Sequence, residues 1–181
     1  MSRKHKHAIL TVVVFFAFLC HCLAAIPRQP SRKISIGSTD SLAEVREKKR
    51  ALLLVLRSGV IDTTDSDRAM IEFALKADPQ NRRYRLAYET IASKLNNYIR
   101  KYKSMTAAAQ LNDADYVIFF NLLEYRRILN TTYPYGELFV IVKGTAAETR
   151  PHVVWKSKKI QWAGDAVNNL IKDLKSIRGE V

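Results

Sequence analysis

"ADYVIFFNLLEYRRILNTTYPYGELFVIVKG", residues 114–144, is the stretch on which the reading of the fold turns. Up to Arg127 it is dense in β-branched and aromatic side chains, which suit a pleated, half-buried surface. "TTYPYGE" (131–137) brings Pro134 and Gly136 and is read as a turn, with "ELFVIVKG" (137–144) as the returning strand of a β-hairpin. In that strand Leu138, Val140 and Val142 alternate with Phe139 and Ile141, so both faces are apolar. A strand of that kind belongs in the middle of a sheet, covered on both sides.

Working outward, "AAETRP" (146–151) is a loop, and "HVVWKSKKIQW" (152–162) is a third strand whose polar half reaches water. Ala163, Ala166, Val167, Leu170, Ile171, Leu174 and Ile177 then recur at helical spacing, with Asn168, Asn169, Lys172, Asp173 and Lys175 on the other side. This predicts an amphipathic helix that Gly179 closes. Trp162 falls at the strand-to-helix corner, where its ring should pack beneath the start of the helix.

Upstream, Asp78 as cap and Pro79 at the first helical position predict a helix whose buried face carries Tyr84, Tyr88, Ile91, Leu95, Ile99 and Tyr102. "DTTDSDRAMIEFALKADP" (62–79) reads as another helix ending near Asp78, and "SLAEVREKKR" (41–50) as a short one capped by Ser41 with Glu44 in capping-box spacing. "ALLLVLRSG" (51–59) suits either a buried strand or the end of a helix stopped at Gly59; the strand is the reading adopted. The expected fold class is α/β, a two-layer sandwich in which a mixed sheet of four to five strands carries amphipathic helices.

The first 25 residues, "MSRKHKHAILTVVVFFAFLCHCLAA", have a basic start, an apolar run from Ala8 to Leu19 and small residues at Ala24 and Ala25. That is the layout of a signal peptide, with an uncleaved anchor as the alternative. The run is shorter than the ~20 residues that span a bilayer. Residues 26–41 ("IPRQPSRKISIGSTDS") read as a flexible basic tether, and 42–181 as a single α/β domain. Both cysteines, Cys20 and Cys22, lie in the segment to be removed, so the exported chain would have neither disulfide nor thiol chemistry. Arg3, Lys4 and Lys6 leave with it, and the net charge of +13 falls by three, to +10. Such a surplus favours anionic surfaces. Export makes nucleic acid an unexpected partner and leaves an envelope protein, an anionic lipid or a cell-wall polymer.

"NDADYVIFF", the glycine-led "YGELFVIV", "HVVWKS" and the closing "AGDAVNNLIKDLK" together resemble a broad group of small exported bacterial α/β domains. Lipoproteins of unknown function belong to that group, which is similar to the amino-terminal domain of the Tol-system β-propeller protein. The resemblance implies a mixed sheet with helices against it and a non-catalytic role in the cell envelope, with no catalytic residues to carry over. This chain departs from the pattern in having no cysteine placed for lipidation, and in replacing a short turn between the central strands with "RRILNTTYPYG" (126–136).

Two surface constellations are candidates for binding. Tyr133 and Tyr135 flank Pro134 at the expected hairpin tip, preceded by Arg126 and Arg127; exposed aromatics beside arginines are typical of protein-binding patches. The plainer alternative folds the tyrosines back onto the sheet edge. Trp155, Lys156, Lys158 and Lys159, together with Trp162, are suited to gripping a phosphate or an acidic sugar with cation–π help. Their plainer reading is that edge lysines deter strand association while the tryptophans fill core. "DTTDSD" (62–67) lacks the glycine and terminal glutamate of a calcium loop and reads as helix capping. His152 is the one histidine outside the leader, with no nucleophile or orienting partner marked by spacing. Neither a catalytic site, a metal nor a cofactor is expected. Asn130, Thr131 and Thr132 form a glycosylation sequon, relevant only in a eukaryotic secretory route.

Overall fold

In a computed structural model the residues described are 39–58, 66–80, 83–144 and 150–180. The amino-terminal segment read as a signal peptide, and residues 62–65 of the proposed cap, lie outside them. The long hairpin forms as the sequence predicts: β3 (Tyr116–Ile128) and β4 (Thr131–Val142) pair antiparallel from Tyr116–Val142 out to Ile128–Thr131. β1 (Arg50–Leu56) runs parallel to β3 and also pairs with the short β2 (Thr106–Ala107). On the other side β5 (His152–Lys156) and β6 (Gln161–Trp162) both pair antiparallel with β4. Among the described residues the order β2-β1-β3-β4-β5, with β6 also on β4, makes a six-stranded mixed sheet.

The turn is not where Pro134 and Gly136 suggested. It is the two-residue connection Leu129–Asn130, and "TTYPYGE" lies inside β4. Pro134 pairs opposite Tyr125, where no further strand among the described residues needs its missing N–H, and Gly136 is required for close approach. A Cβ there would collide with the Asn121 carbonyl oxygen and stand 2.9 Å from Phe120 Cζ. Leu129 takes the turn's left-handed conformation (φ +55°) without the glycine that usually marks it.

Helices cover the sheet because its strands are apolar on both sides. α1 (Thr39–Leu42) leads into a 3₁₀ turn (Ala43–Val45); α2 is Ser66–Lys76, α3 Arg85–Tyr102 and α4 Ala163–Arg178. α3 buries Ala87, Ile91, Leu95 and Tyr98, and α4 buries Ala166, Val167, Leu170 and Leu174, against Ile118, Phe120, Leu138 and Val140 on one sheet face. Met70 and Ala74 of α2 pack on Val117, Phe119, Phe139 and Ile141 on the far face. The α/β sandwich expected from the sequence is therefore the fold. Burial of each such aliphatic or aromatic side chain contributes about 1.5–3 kcal/mol, and Phe119 and Phe139, both 0 % exposed, stack with centroids 6.0 Å apart.

Several local expectations are corrected. Ser41 sits within α1 instead of capping it, and the chain leaves helical geometry after Arg46, because Leu42 and Val45 are anchored in the core and β1 begins at Arg50. α1 also takes in the last residues of the stretch read as tether. Asp78 does not start α3: its Oδ1 accepts the Gln80 N–H (2.8 Å) in a local turn, and the helix begins at Arg85. "HVVWKSKKIQW" is two strands, because the chain leaves β4 after Ser157, whose N–H still reaches the Leu138 carbonyl oxygen (2.8 Å), and pairs with it again only at Gln161. By contrast, Gly179 caps α4 in the left-handed conformation (φ +67°), and the Trp162 ring lies beneath Gly164, both as predicted.

Two polar clusters lock the register. Asp115 accepts the backbone N–H groups of Lys49 (3.1 Å) and Arg50 (2.9 Å) and the Arg50 guanidinium, which joins β1 to the start of β3. Arg178 donates to the Val45 (3.1 Å) and Lys48 (2.9 Å) carbonyl oxygens, tying the end of α4 to the segment after α1. The phenol of Tyr98 donates to Glu180 (2.6 Å), and Tyr116 lies beside Arg178. Burial, opposed by the Arg178 charge, pushes the Tyr116 hydroxyl up to about 12. Among the described residues no helix is long and apolar enough to cross a membrane.

Candidate functional site

Two surfaces gather the residues singled out in the sequence. The first is the outer half of the β3–β4 hairpin. β1 accompanies β3 only as far as Asn121, and β6 accompanies β4 only at Tyr135 and Gly136. Beyond the bulge at Leu122–Glu124 the burial of β3 ends abruptly, and residues 124–128 are exposed. Among the described residues the hairpin thus continues as a two-stranded arm. Leu129 at its tip is 92 % exposed, Ile128 49 % and Tyr125 43 %.

Strand alternation distributes the arm's side chains. Arg126 lies directly opposite Tyr133 and Glu124 opposite Tyr135, whereas Arg127 faces Thr132 on the other side of the ribbon. The Arg126 guanidinium stands 4.4 Å over the Tyr135 ring and bonds Glu124 Oε1 through Nε (2.6 Å). Tyr133 meets Trp162 edge-on at 5.4 Å. The tyrosines are half-buried and brace the base of the arm, which corrects their placement at its tip. Among the described residues the tip is made of Ile128, Leu129 and Asn130. Tyr125, whose hydroxyl is pushed upward by burial and by neighbouring Tyr84, faces the start of α3. The one signal that could have found the tip was the polar pair Asn130–Thr131 within an otherwise strand-like run.

The second surface is a cleft of about 260 Å³ between the β5–β6 connection and α4. Trp155, Lys156, Lys158 and Lys159 all contribute to its lining, joined by Ser157, Gln161, Asn169, Lys172 and Asp173. The sequence had set the last three on a plain solvent face, since only docking of α4 beside β6 brings them to the lysines. Lys156 is displaced from the expected role: its Nζ lies 3.6 Å from Asp67 and 5.4 Å over the Phe139 ring, on the far side of the sheet. Nor is Trp155 a stacking platform. It is 4 % exposed and its indole N–H is donated to Asp173 Oδ2 at 2.8 Å.

His152 holds the start of β5 to the 3₁₀ turn. Its Nε2 is 2.8 Å from Glu44 Oε2 and its Nδ1 2.9 Å from the Arg150 carbonyl oxygen. Among the described residues no group of three or more His, Cys, Asp or Glu side chains is placed to hold a metal. Compared with protein families, curated proteins and solved structures, the chain finds no match in any of the three.

Proposed function

We propose that this chain is a non-enzymatic interaction module of a bacterial cell envelope that docks an acidic segment of a protein partner on its β3–β4 arm. The observation that carries the reading is the arm itself: a ribbon that leaves the sheet, bare at both edges among the described residues, with Leu129 92 % exposed. A free strand edge binds a further strand through its backbone groups, and flanking side chains select which one. Arg126 and Arg127, one on each face, make pairing of two copies of this ribbon unfavourable and an acidic strand favourable. The charge surplus of the chain extends that preference over its surface. Location in the envelope rests on the signal-like first 25 residues and on the resemblance to the Tol-type amino-terminal domains.

A photo-crosslinking residue placed at Leu129 in the native host tests this. One recurrent protein adduct is expected, abolished by Arg126→Glu with Arg127→Glu and absent with the same crosslinker at Lys76. Adducts indifferent to the charge reversal, or equal at both positions, overturn it. Mass spectrometry of the same chain should find its amino terminus near Ala25.

A further inference from the structure

We infer that the cleft between the β5–β6 connection and α4 binds a hydroxylated phosphate ester of the glycerol-phosphate type. The inference is independent of the arm. Lys158, Lys159 and Lys172 are exposed, line one cavity, and have no carboxylate within ion-pair distance among the described residues. Three like charges beside one concavity repel one another unless an anion sits among them, and ammonium groups bind phosphate oxygens through strong charge-assisted hydrogen bonds.

The remaining lining narrows the ligand. A sugar ring is ordinarily gripped by an exposed aromatic face, but Trp155 is buried and offers none. Instead Trp155 pins Asp173 through Oδ2, leaving Oδ1 as an acceptor at the cavity wall. The Gln161 and Asn169 side chains, bonded to each other at 3.3 Å, add amide donors and acceptors beside it. A bare phosphate would gain from the lysines and be repelled by Asp173. A phosphate ester with a free hydroxyl satisfies both, the phosphate among the ammonium groups and the hydroxyl donating to the carboxylate. The cavity, about 260 Å³, is below the usual range for a whole drug-sized ligand, and it accommodates such a polar group with the rest of the molecule outside. The same chemistry occurs in the headgroup of an anionic glycerophospholipid and in a free polyol phosphate.

Calorimetric titration of the full chain with glycerophosphoglycerol, inorganic phosphate and glycerol tests the assignment. Glycerophosphoglycerol should bind more tightly than inorganic phosphate, and glycerol not at all. Combining Lys158→Gln, Lys159→Gln and Lys172→Gln should weaken glycerophosphoglycerol by about tenfold or more, since each charged hydrogen bond lost matters at this scale. Asp173→Asn keeps an acceptor for the indole, and should weaken glycerophosphoglycerol while strengthening inorganic phosphate. Lys94→Gln, Lys101→Gln and Lys175→Gln together, on the other flank of α4, should change neither. Equal losses in the two triple variants, or inorganic phosphate binding as well as the ester, overturn the site. Where the cleft triple variant melts early, Lys172→Gln alone carries the same comparison. Flotation with vesicles of phosphatidylglycerol against phosphatidylcholine separates the sources: a lipid headgroup gives retention on the former that the cleft triple variant loses, and a free polyol phosphate gives equal retention for wild type and variant.

Discussion

Replacing Arg178 with methionine should cost about 2 kcal/mol of stability, and the sum can be taken from its contacts. The guanidinium donates to the Val45 and Lys48 carbonyl oxygens at 3.1 and 2.9 Å. At about 1.5 kcal/mol for each hydrogen bond from a charged donor, these two are worth about 3 kcal/mol. Contacts to Tyr98 and Ser104, both 3.3 Å, are longer and add less. Against this, Arg178 Nε is buried without an acceptor among the described residues, and methionine removes that orphan donor, returning about 1 kcal/mol. Methionine keeps the apolar stem, so packing changes little. For a domain of this size the net loss corresponds to a melting temperature lower by about 4–8 °C. Thermal unfolding by circular dichroism measures it, and hydrogen exchange should show the loss concentrated near Val45–Lys48. A melting temperature within about 1 °C of wild type would refute the assignment of Arg178 as the tie between the end of α4 and the segment after α1.

The same cluster makes stability depend on alkaline pH. Tyr116 loses its proton near 10 when unfolded and at about 12 when folded, so the folded state holds the proton more tightly. Stability is then fully present below pH 10 and falls as pH rises through that window, by up to about 1.4 kcal/mol per pH unit; denaturant titrations should show this, and Tyr116→Phe should flatten the decline. Gly136→Ala should destabilise by about 3 kcal/mol or more, since its Cβ meets the backbone of Asn121 and the clash cannot be relieved by a side chain alone. An unchanged urea midpoint would contradict the close packing of β3 on β4 at that point. Leu129→Gly relieves a left-handed backbone costing about 1 kcal/mol, offset in part by unfolded-state entropy. Its melting temperature, followed by circular dichroism, should hold or rise slightly.

Alternating apolar residues in 137–142 placed β4 in the centre of the sheet, and the three-four spacing of 163–177 placed α4 on it, because these patterns need only local periodicity to be read. The turn was misplaced because Pro134 and Gly136 are usual turn residues, and their use inside a strand depends on which neighbours stand beside them. Among the described residues Pro134 has no third strand to serve, and Gly136 has Asn121 too near for any side chain. Asp78 misled for a similar reason: a carboxylate that caps a helix and one that closes an isolated turn have the same sequence signature.

Of the two candidate surfaces, the residue types were visible in the chain and the geometry was not. Arg126, Tyr133 and Tyr135 were read together, but their stacking follows from the register of β3 on β4, set by a bulge that no local pattern announces. Lys158 and Lys159 were read with Trp155, yet the cleft exists because α4, anchored by its apolar stripe, carries Lys172 and Asp173 up beside them. Periodicity and composition act between neighbours along the chain, and by themselves they determined the class of fold, the central strand and the closing helix. Which side chains share a surface depends on register, strand order and helix docking, contacts between residues far apart in sequence. Only the tertiary structure decided the projecting arm and the lysine cleft.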